Sequence, residues 1–314
     1  MSRTERRKRV AVVTPVHNRC DLTLQCLRSI ERLDADGFEV FTVIVDDGST
    51  DGTAEKVKAA YPNVQIVSGD GNLWFSGGMN RGFEAALERD PDYVLSINND
   101  TVFDRMLLQN LIETAEKHPR SVVGALLLLW DQPHRVFQVA PKWSAYWGGF
   151  RHWQQQNVWT VPDRPWKVEI IVGNCVLFPV EAIRECGLMD EKRFPHYGDA
   201  EYTPRMRRAG WTLLVDPRAR AFCQPNTPPP SVGKMPFGKK LRTLFLDKGN
   251  ANSLWRRTYA NLYGAPNKLS GLVATPVFYL RYLIGKNFES SYAERVPEPQ
   301  LKDLYANEVV APEE

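Results

Sequence analysis

The first 130 residues alternate between short apolar runs and longer stretches whose apolar residues recur at helical spacing, and this alternation is the strongest constraint on the fold. Strand-like runs fall at residues 10–14, 40–45, 64–67, 93–97 and 122–128. Between them Leu24, Leu27, Ile30 and Leu33 mark one amphipathic helix, for which Asp21 is the expected N-cap. Further helices are expected over residues 53–61, 77–87 and 106–118. Strands joined through helices need crossover connections, so the pattern predicts an α/β fold with a mostly parallel sheet covered on both faces. Ligands of such sheets sit beyond the carboxyl ends of the strands. The strings found there are TPVHN (14–18), DDGST (46–50), SGDGNLW (68–74) and NND (98–100).

Several function classes are excluded at once. A dinucleotide site would need G-x-G-x-x-G after the first strand, where this chain has TPVHN. With 40 basic and 37 acidic residues, the net charge of +3 gives no reason to expect a nucleic-acid partner. Cys20, Cys26, Cys175, Cys186 and Cys223 are odd in number and scattered, without a C-x-x-C pair, which predicts reduced cytoplasmic thiols rather than disulfides or a zinc knuckle. The basic start lacks a signal-peptide core. The apolar run 269–285 is interrupted by Pro276 and Arg281 and falls short of the ~20 residues of a membrane span. The expectation is a cytoplasmic protein, with peripheral contact at the inner face of the cell membrane left open.

After residue 130 the periodicity breaks into a stretch holding six of the nine tryptophans (130–166), suited to an acceptor groove or to a local core. A strand-like run at 168–177, a helix at 180–186 and a strand at 212–215 follow. The proline-dense loop 225–231 marks a boundary between a domain of residues 1–230 and an extension of residues 231–314. Residues 231–295 carry eleven basic against three acidic side chains, more positive than the whole chain, interleaved with aromatic and aliphatic residues. Helices of this composition suit an anionic membrane surface, or else pack on the first domain with a solvated basic face. The acidic tail is expected to be disordered.

Two strings carry chemistry by themselves. Asp46 and Asp47 are adjacent carboxylates at a strand end, costly unless they bind donors or a cation; a turn with an Asx-type cap is the alternative. Asn98, Asn99 and Asp100 form a hard-oxygen cluster suited to one divalent cation that also holds phosphate oxygens.

Taken in order, TPVHN, DDGST, NLWFSGGMNRG (72–82), the SINND strand end and GDAEYTPRMRRAGW (198–211) resemble glycosyltransferase family 2, the inverting nucleotide-sugar transferases of the GT-A fold. The nearest flavour is the rhamnosyl- and galactofuranosyltransferase type that builds bacterial surface polysaccharides. The resemblance covers residues 10–223 and implies a Rossmann-like, mostly parallel mixed sheet flanked by helices, with a C-terminal helical extension.

It also implies roles. Thr14, Pro15, Asn18 and Asp46 would hold the donor nucleotide, with Asp47 and Asn72 beside them, and Asn80 and Arg81 would line the donor pocket. Asn98, Asn99 and Asp100 stand where the family has D-x-D; a single carboxylate there would bind Mg2+ or Mn2+ more weakly. Asp199 aligns with the catalytic base. Cys223 occupies the place of a histidine that can join the metal, and a buried thiol is the favoured reading. His196, Glu201 and Trp147 are candidates for acceptor contact. The partners implied are a nucleotide-sugar donor and a glycan or lipid-linked glycan acceptor, with a homo-oligomer left open. The rival readings are a sugar-1-phosphate nucleotidyltransferase, disfavoured by the missing glycine-rich basic loop after the first strand, and a catalytically dead glycan-binding module.

Overall fold

Val10 to Val13 are completely buried, the mark of a central strand covered on both faces. The computed structural model describes residues 6–139, 142–151, 156–224, 235–247 and 253–285. In it β1 (Lys8–Val16), β2 (Phe38–Asp46), β3 (Gln65–Ser68) and β4 (Tyr93–Ile97) are parallel, in spatial order β3-β2-β1-β4. The sheet continues through further strands: β5 (Thr101–Phe103), β6 (Ser121–Leu129), β7 (Val136–Gln138), β10 (Trp166–Lys167), β11 (Cys175–Pro179) and β12 (Thr212–Cys223). β11 lies antiparallel between β4 and β6, and β12 runs parallel to β6. A separate hairpin pairs β8 (Lys142–Ser144) with β9 (Gly149–Arg151). The ends of β1, β2, β4, β6 and β12 and the start of β11 therefore share one rim.

The helices are α1 (Cys20–Glu31), α2 (Thr53–Ala60), α3 (Trp74–Leu87), α4 (Leu107–Lys117), α5 (Val180–Cys186), α6 (Asp199–Arg208), α7 (Phe237–Phe245), α8 (Leu254–Gly264) and α9 (Lys268–Leu283). α3 lies so close to β1 that a Cβ at Gly82 would collide with the Val13 side chain. Gly78, which faces Pro15 of β1, and Gly82 of NLWFSGGMNRG thus serve helix-on-sheet packing.

The alternating elements of the first 130 residues form where periodicity placed them. The N-cap does not. Asp21 lies in the first turn of α1, and Asp51 accepts the Cys20 N–H at 2.9 Å and the Thr53 N–H at 3.1 Å, serving the starts of α1 and α2 together. The run 168–177 becomes a strand only from Cys175; its earlier part crosses towards the rim with Ile170 and Ile171 buried. The strand expected at 212–215 extends to Cys223 through a register shift between Asp216 and Arg220. The buried Asp216 carboxylate is satisfied there by Thr114 and Arg218, at 2.6 and 2.9 Å.

Trp130 and Trp166 pack around a core containing Leu126, Leu128, Val139 and Val161, which matches the local-core reading of the tryptophan-rich stretch. α8 packs against both α6 and α9. α9 presents Gly271, Ala274, Phe278 and Tyr282 inwards, and its start is capped by Asn267, whose Oδ1 accepts the Ser270 N–H at 2.9 Å. Trp143 donates its indole N–H to Ser270 Oγ at 2.5 Å, tying the β8 strand to α9. All five cysteines are free thiols. Among the described residues no helix is long and apolar enough to cross a membrane. The proline-dense boundary at 225–230, Trp153 and the acidic tail beyond residue 285 lie outside the described residues.

Candidate active site at the carboxyl rim of the sheet

The loops after β1 and β2 are hydrogen-bonded into one unit. Asn18, in the left-handed region at φ 57°, donates its N–H to Ser49 Oγ at 2.7 Å and accepts the Thr50 N–H on Oδ1 at 2.9 Å. The adjacent carboxylates divide their work. Asp46 accepts the Ser49 N–H at 3.1 Å and shapes the DDGST turn. Asp47 turns to the next loop and accepts the N–H groups of Gly71, Leu73 and Trp74 at 2.8, 2.9 and 3.1 Å, which orders the chain into α3. Thr14 is buried within β1, and Pro15 lies where a Cβ on Gly78 would approach it to 2.6 Å. Asn72 is exposed, and its N–H closes a small turn on Asp70 Oδ1 at 2.9 Å.

Asn80 is buried and fully engaged. Its amide donates to Met189 O at 3.0 Å and Glu191 Oε2 at 2.9 Å, and its Oδ1 accepts the Met189 N–H at 2.9 Å. The structure thus places it as a tie between α3 and residues 188–191. Arg81 is exposed at a cleft of about 290 Å³ shared with Glu84, Asp190 and Lys192.

At the end of β4, Asn99 donates to Thr23 Oγ1 at 3.0 Å, and Asp100 accepts Arg19 Nη1 at 3.1 Å. Burial pushes the Asp100 carboxyl above its ordinary range, and the Arg19 guanidinium opposes this. A backbone path then joins this cluster to Asp199. The Asn98 N–H donates to Asn174 O at 3.1 Å, and the neighbouring Gly173 N–H donates to Asp199 Oδ2 at 3.0 Å. Asp199 opens α6, where the helix dipole favours a carboxylate. Burial nevertheless raises its pKa, with the N–H groups of Gly173 and Ala200 working against the rise. Desolvation therefore outweighs the fixed dipoles, and a carboxyl raised towards neutrality is suited to taking a proton.

His196 is packed edge-on against Trp74 at 4.4 Å between ring centroids, beside the Ser76 N–H bond to Pro195 O at 2.9 Å. Burial, with Arg256 of α8 nearby, pushes the imidazole below its usual value. Glu201 is only 3% exposed and lies about 200° around α6 from Asp199. It pairs with Arg205 at 2.8 Å and lines a cleft of about 450 Å³ between α6 and α8 instead of the rim. Trp147 lies against the guanidinium groups of Arg281 and Arg151, at 3.7 and 5.0 Å, on the α9 side of the insert. The structure thus links the Asn98 backbone to Asp199 through Asn174 and Gly173, and keeps Glu201 and Trp147 in separate environments.

Cys223 is buried, and burial pushes its thiol up to about 12; it contacts Thr101 Oγ1 at 3.8 Å and Asn174 Nδ2 at 3.7 Å. A protonated core thiol is no ligand for a hard cation. Among the described residues no group of three His, Cys, Asp or Glu side chains could hold a metal alone. Asp100 with the two asparagines fits a cation only where phosphate oxygens complete the shell. Sequence reasoning missed Arg19, Asp51 and Gly173. Their signals were present as the Arg after TPVHN, the Asp after DDGST and the glycine breaking an apolar run.

Two solved structures share the fold. One is GalNAc-T7 with UDP, GalNAc and Mn2+, at TM-score 0.56 and 14% identity, covering 87% of this chain and 54% of that one. The other is the mannosyltransferase PcManGT from Pyrobaculum calidifontis in complex with GDP-Man and Mn2+, at TM-score 0.50 and 16% identity, covering 96% and 80%. They establish the architecture as GT-A. In sequence the chain is 28% identical over 204 residues to the N-acetylglucosaminyl-diphospho-decaprenol L-rhamnosyltransferases of Mycobacterium tuberculosis strains CDC 1551 / Oshkosh and ATCC 25618 / H37Rv. That match takes in 58% of this chain and 66% of the relatives' length, just under two thirds. The family described as Glycosyl transferase family 2 matches residues 11–187, more than half of the sequence and every strand end of the rim up to the start of β11. With the ordered rim motifs and the sheet topology in agreement, the chain belongs to glycosyl transferase family 2.

Proposed function

We propose that the protein is an inverting glycosyltransferase that moves a sugar from a nucleotide-sugar donor to a growing, lipid-linked surface glycan. The observation that carries this reading is the placement of Asp199 at the start of α6, held by Gly173 and connected through Asn174 to the Asn98–Asp100 cluster. The acceptor class is carried over from the printed name of the mycobacterial relatives, whose acceptor is a polyprenyl diphosphate sugar. We assign residues 1–230 to the catalytic unit and residues 231–314 to an extension.

In this reading Asp199 takes the proton of the acceptor hydroxyl as its oxygen attacks the anomeric carbon. The bond from that carbon to the diphosphate oxygen breaks on the opposite face, and the nucleoside diphosphate leaves with the electron pair. Asp46 and Asn18 hold the nucleotide, while Asp47 and Asn80 keep the surrounding loops in place. Mg2+ or Mn2+, when bound, supplies positive charge to the leaving diphosphate, and Asp100 with Asn98 and Asn99 would hold it. His196, packed against Trp74, is assigned to acceptor contact.

The test is nucleotide release from a panel of donors in the presence of Mn2+ and a polyprenyl diphosphate saccharide, with the product anomer read by NMR. One donor should turn over with inversion, and Asp199→Asn should abolish transfer. Full transfer by that variant would show the base assignment to be wrong. Absence of donor binding at millimolar concentration would favour the glycan-binding reading instead.

A further inference from the structure

α9 has two apolar faces, and only one is covered. The inner face, at 271, 274, 278 and 282, packs on α8 and on the insert that carries Trp147. The outer face follows a second helical line: Leu269, Leu272, Val273, Leu280 and Ile284 are 72, 58, 45, 63 and 57% exposed, and the exposed residue between them is Pro276. This stripe contains no polar side chain. A helix on a water-facing surface carries its polar residues there, so the pattern is inverted relative to solvent.

The charge around the stripe says what covers it. Ser253 to Gly285, which includes all of α8 and α9, has no carboxylate; of its cations Lys268 is exposed beside Leu269, while Arg257 stacks on the inner-face Phe278 and Arg281 on Trp147. α7 adds exposed Lys239 and Arg242 next to exposed Phe237 and Phe245, against one exposed carboxylate, Asp247, just past its end. A second copy of this chain on the stripe would oppose cations to cations. An anionic lipid surface offers acyl chains to the stripe and headgroup phosphates to its basic flanks.

We propose that the outer face of α9, flanked by α7, is a docking surface for anionic phospholipid headgroups, with α9 lying in the plane of the interface. For its use in catalysis the proposal rests on the lipid-linked acceptor reading, while the docking itself rests on the surface. α8 lies between α9 and the Asp199 helix. With helices packed about 8–10 Å apart, the lipid plane stands on the order of 20 Å from α6, a span that saccharides projecting from the headgroup layer can bridge. A 16-residue helix is about 24 Å long, too short to span but long enough to lie across several headgroups.

Flotation of the full chain with vesicles tests this. Wild type is expected to float with phosphatidylcholine vesicles containing one third phosphatidylglycerol, to release them in high salt, and to ignore pure phosphatidylcholine. Leu272→Glu combined with Leu280→Glu should reduce flotation about tenfold or more, and Arg242→Glu with Lys268→Glu should reduce it and remove the salt dependence. Thermal shift with nucleotide-sugar donors reports the rim separately and should be unchanged in both variants, so loss of flotation and loss of donor binding are distinguishable failures. The proposal is overturned if wild type does not float with anionic vesicles, or if the α9 variant floats as wild type does. A wild-type dimer dissolved by the same two substitutions, without flotation, would assign the stripe to self-association and also overturn it. Should the double glutamate variant fail to fold, Leu280→Gln decides by the same readout.

Discussion

Gly173 donates its N–H to Asp199 Oδ2 at 3.0 Å, and a Cβ on Gly173 would stand 3.0 Å from Asp199 Cβ and 3.3 Å from its Cγ. The glycine brings backbone up to the carboxylate and leaves no room for a side chain. Gly173→Ala should therefore shift Asp199 by a few tenths of an ångström. Since small misplacements of a reacting group are costly, kcat is expected to fall about 10- to 100-fold with a smaller change in donor KM. Steady-state kinetics check this, and an unchanged kcat would show that the Gly173 contact does not position the base.

The raised pKa of Asp199 makes a prediction with a definite sign. Between the unfolded value of about 3.9 and the higher folded value, the folded chain binds the extra proton. The stability contribution is therefore greatest in acid and is lost as pH rises through the folded value. Asp199→Asn should melt a few degrees higher than wild type at pH 8 while losing transfer about 100-fold or more. In wild type kcat/KM should rise with pH along with ionisation of this carboxyl. Thermal melts and pH-rate profiles measured together test both halves.

Asp46 and Asp47 should separate cleanly. Asp47→Ala removes the acceptor for three backbone N–H groups and is expected to destabilise the chain by about 3 kcal/mol, read as a lower urea midpoint. Asp46→Asn keeps an acceptor for Ser49 and should stay within about 1 kcal/mol of wild type. Its loss should appear in nucleotide binding, as about tenfold or more by calorimetry.

In the proposed function the cation would rest on one carboxylate, Asp100. Donor turnover should stop in EDTA and return with Mn2+ or Mg2+, and Asp100→Asn should raise the metal concentration needed for half-maximal rate by about tenfold or more. Cys223→Ser should leave that concentration unchanged, because the thiol is buried and protonated. A rise in the Cys223→Ser metal requirement would place the cation nearer β12 than proposed.

The fold was legible because strand burial writes itself as apolar runs and helix packing as 3.6-residue spacing, and the first 130 residues carry both without interruption. Elements of two or three residues, such as β5 and β10, are too short to show a period. Asp51 was passed over as the cap of α1 because its partner Cys20 lies 31 positions away, and local capping rules see only neighbours. The motifs named the rim residues but not their division of labour. Nothing in the string DDGST says that one carboxylate faces its own turn and the next faces a different loop. The α9 stripe was likewise hidden, since composition registers leucines without telling which of a helix's two apolar lines is covered.

The joined loops after β1 and β2 bear on how donor preference can be changed. Asn18 bonds to both Ser49 and Thr50, and Cys20 bonds to Asp51, so the two segments move as one piece. Substitutions in residues 14–20 and 46–53 should be non-additive, with coupling energies of about 0.5–3 kcal/mol in double-mutant cycles. Recoding the nucleotide by single changes would then fail where exchanging both segments together as a cassette succeeds.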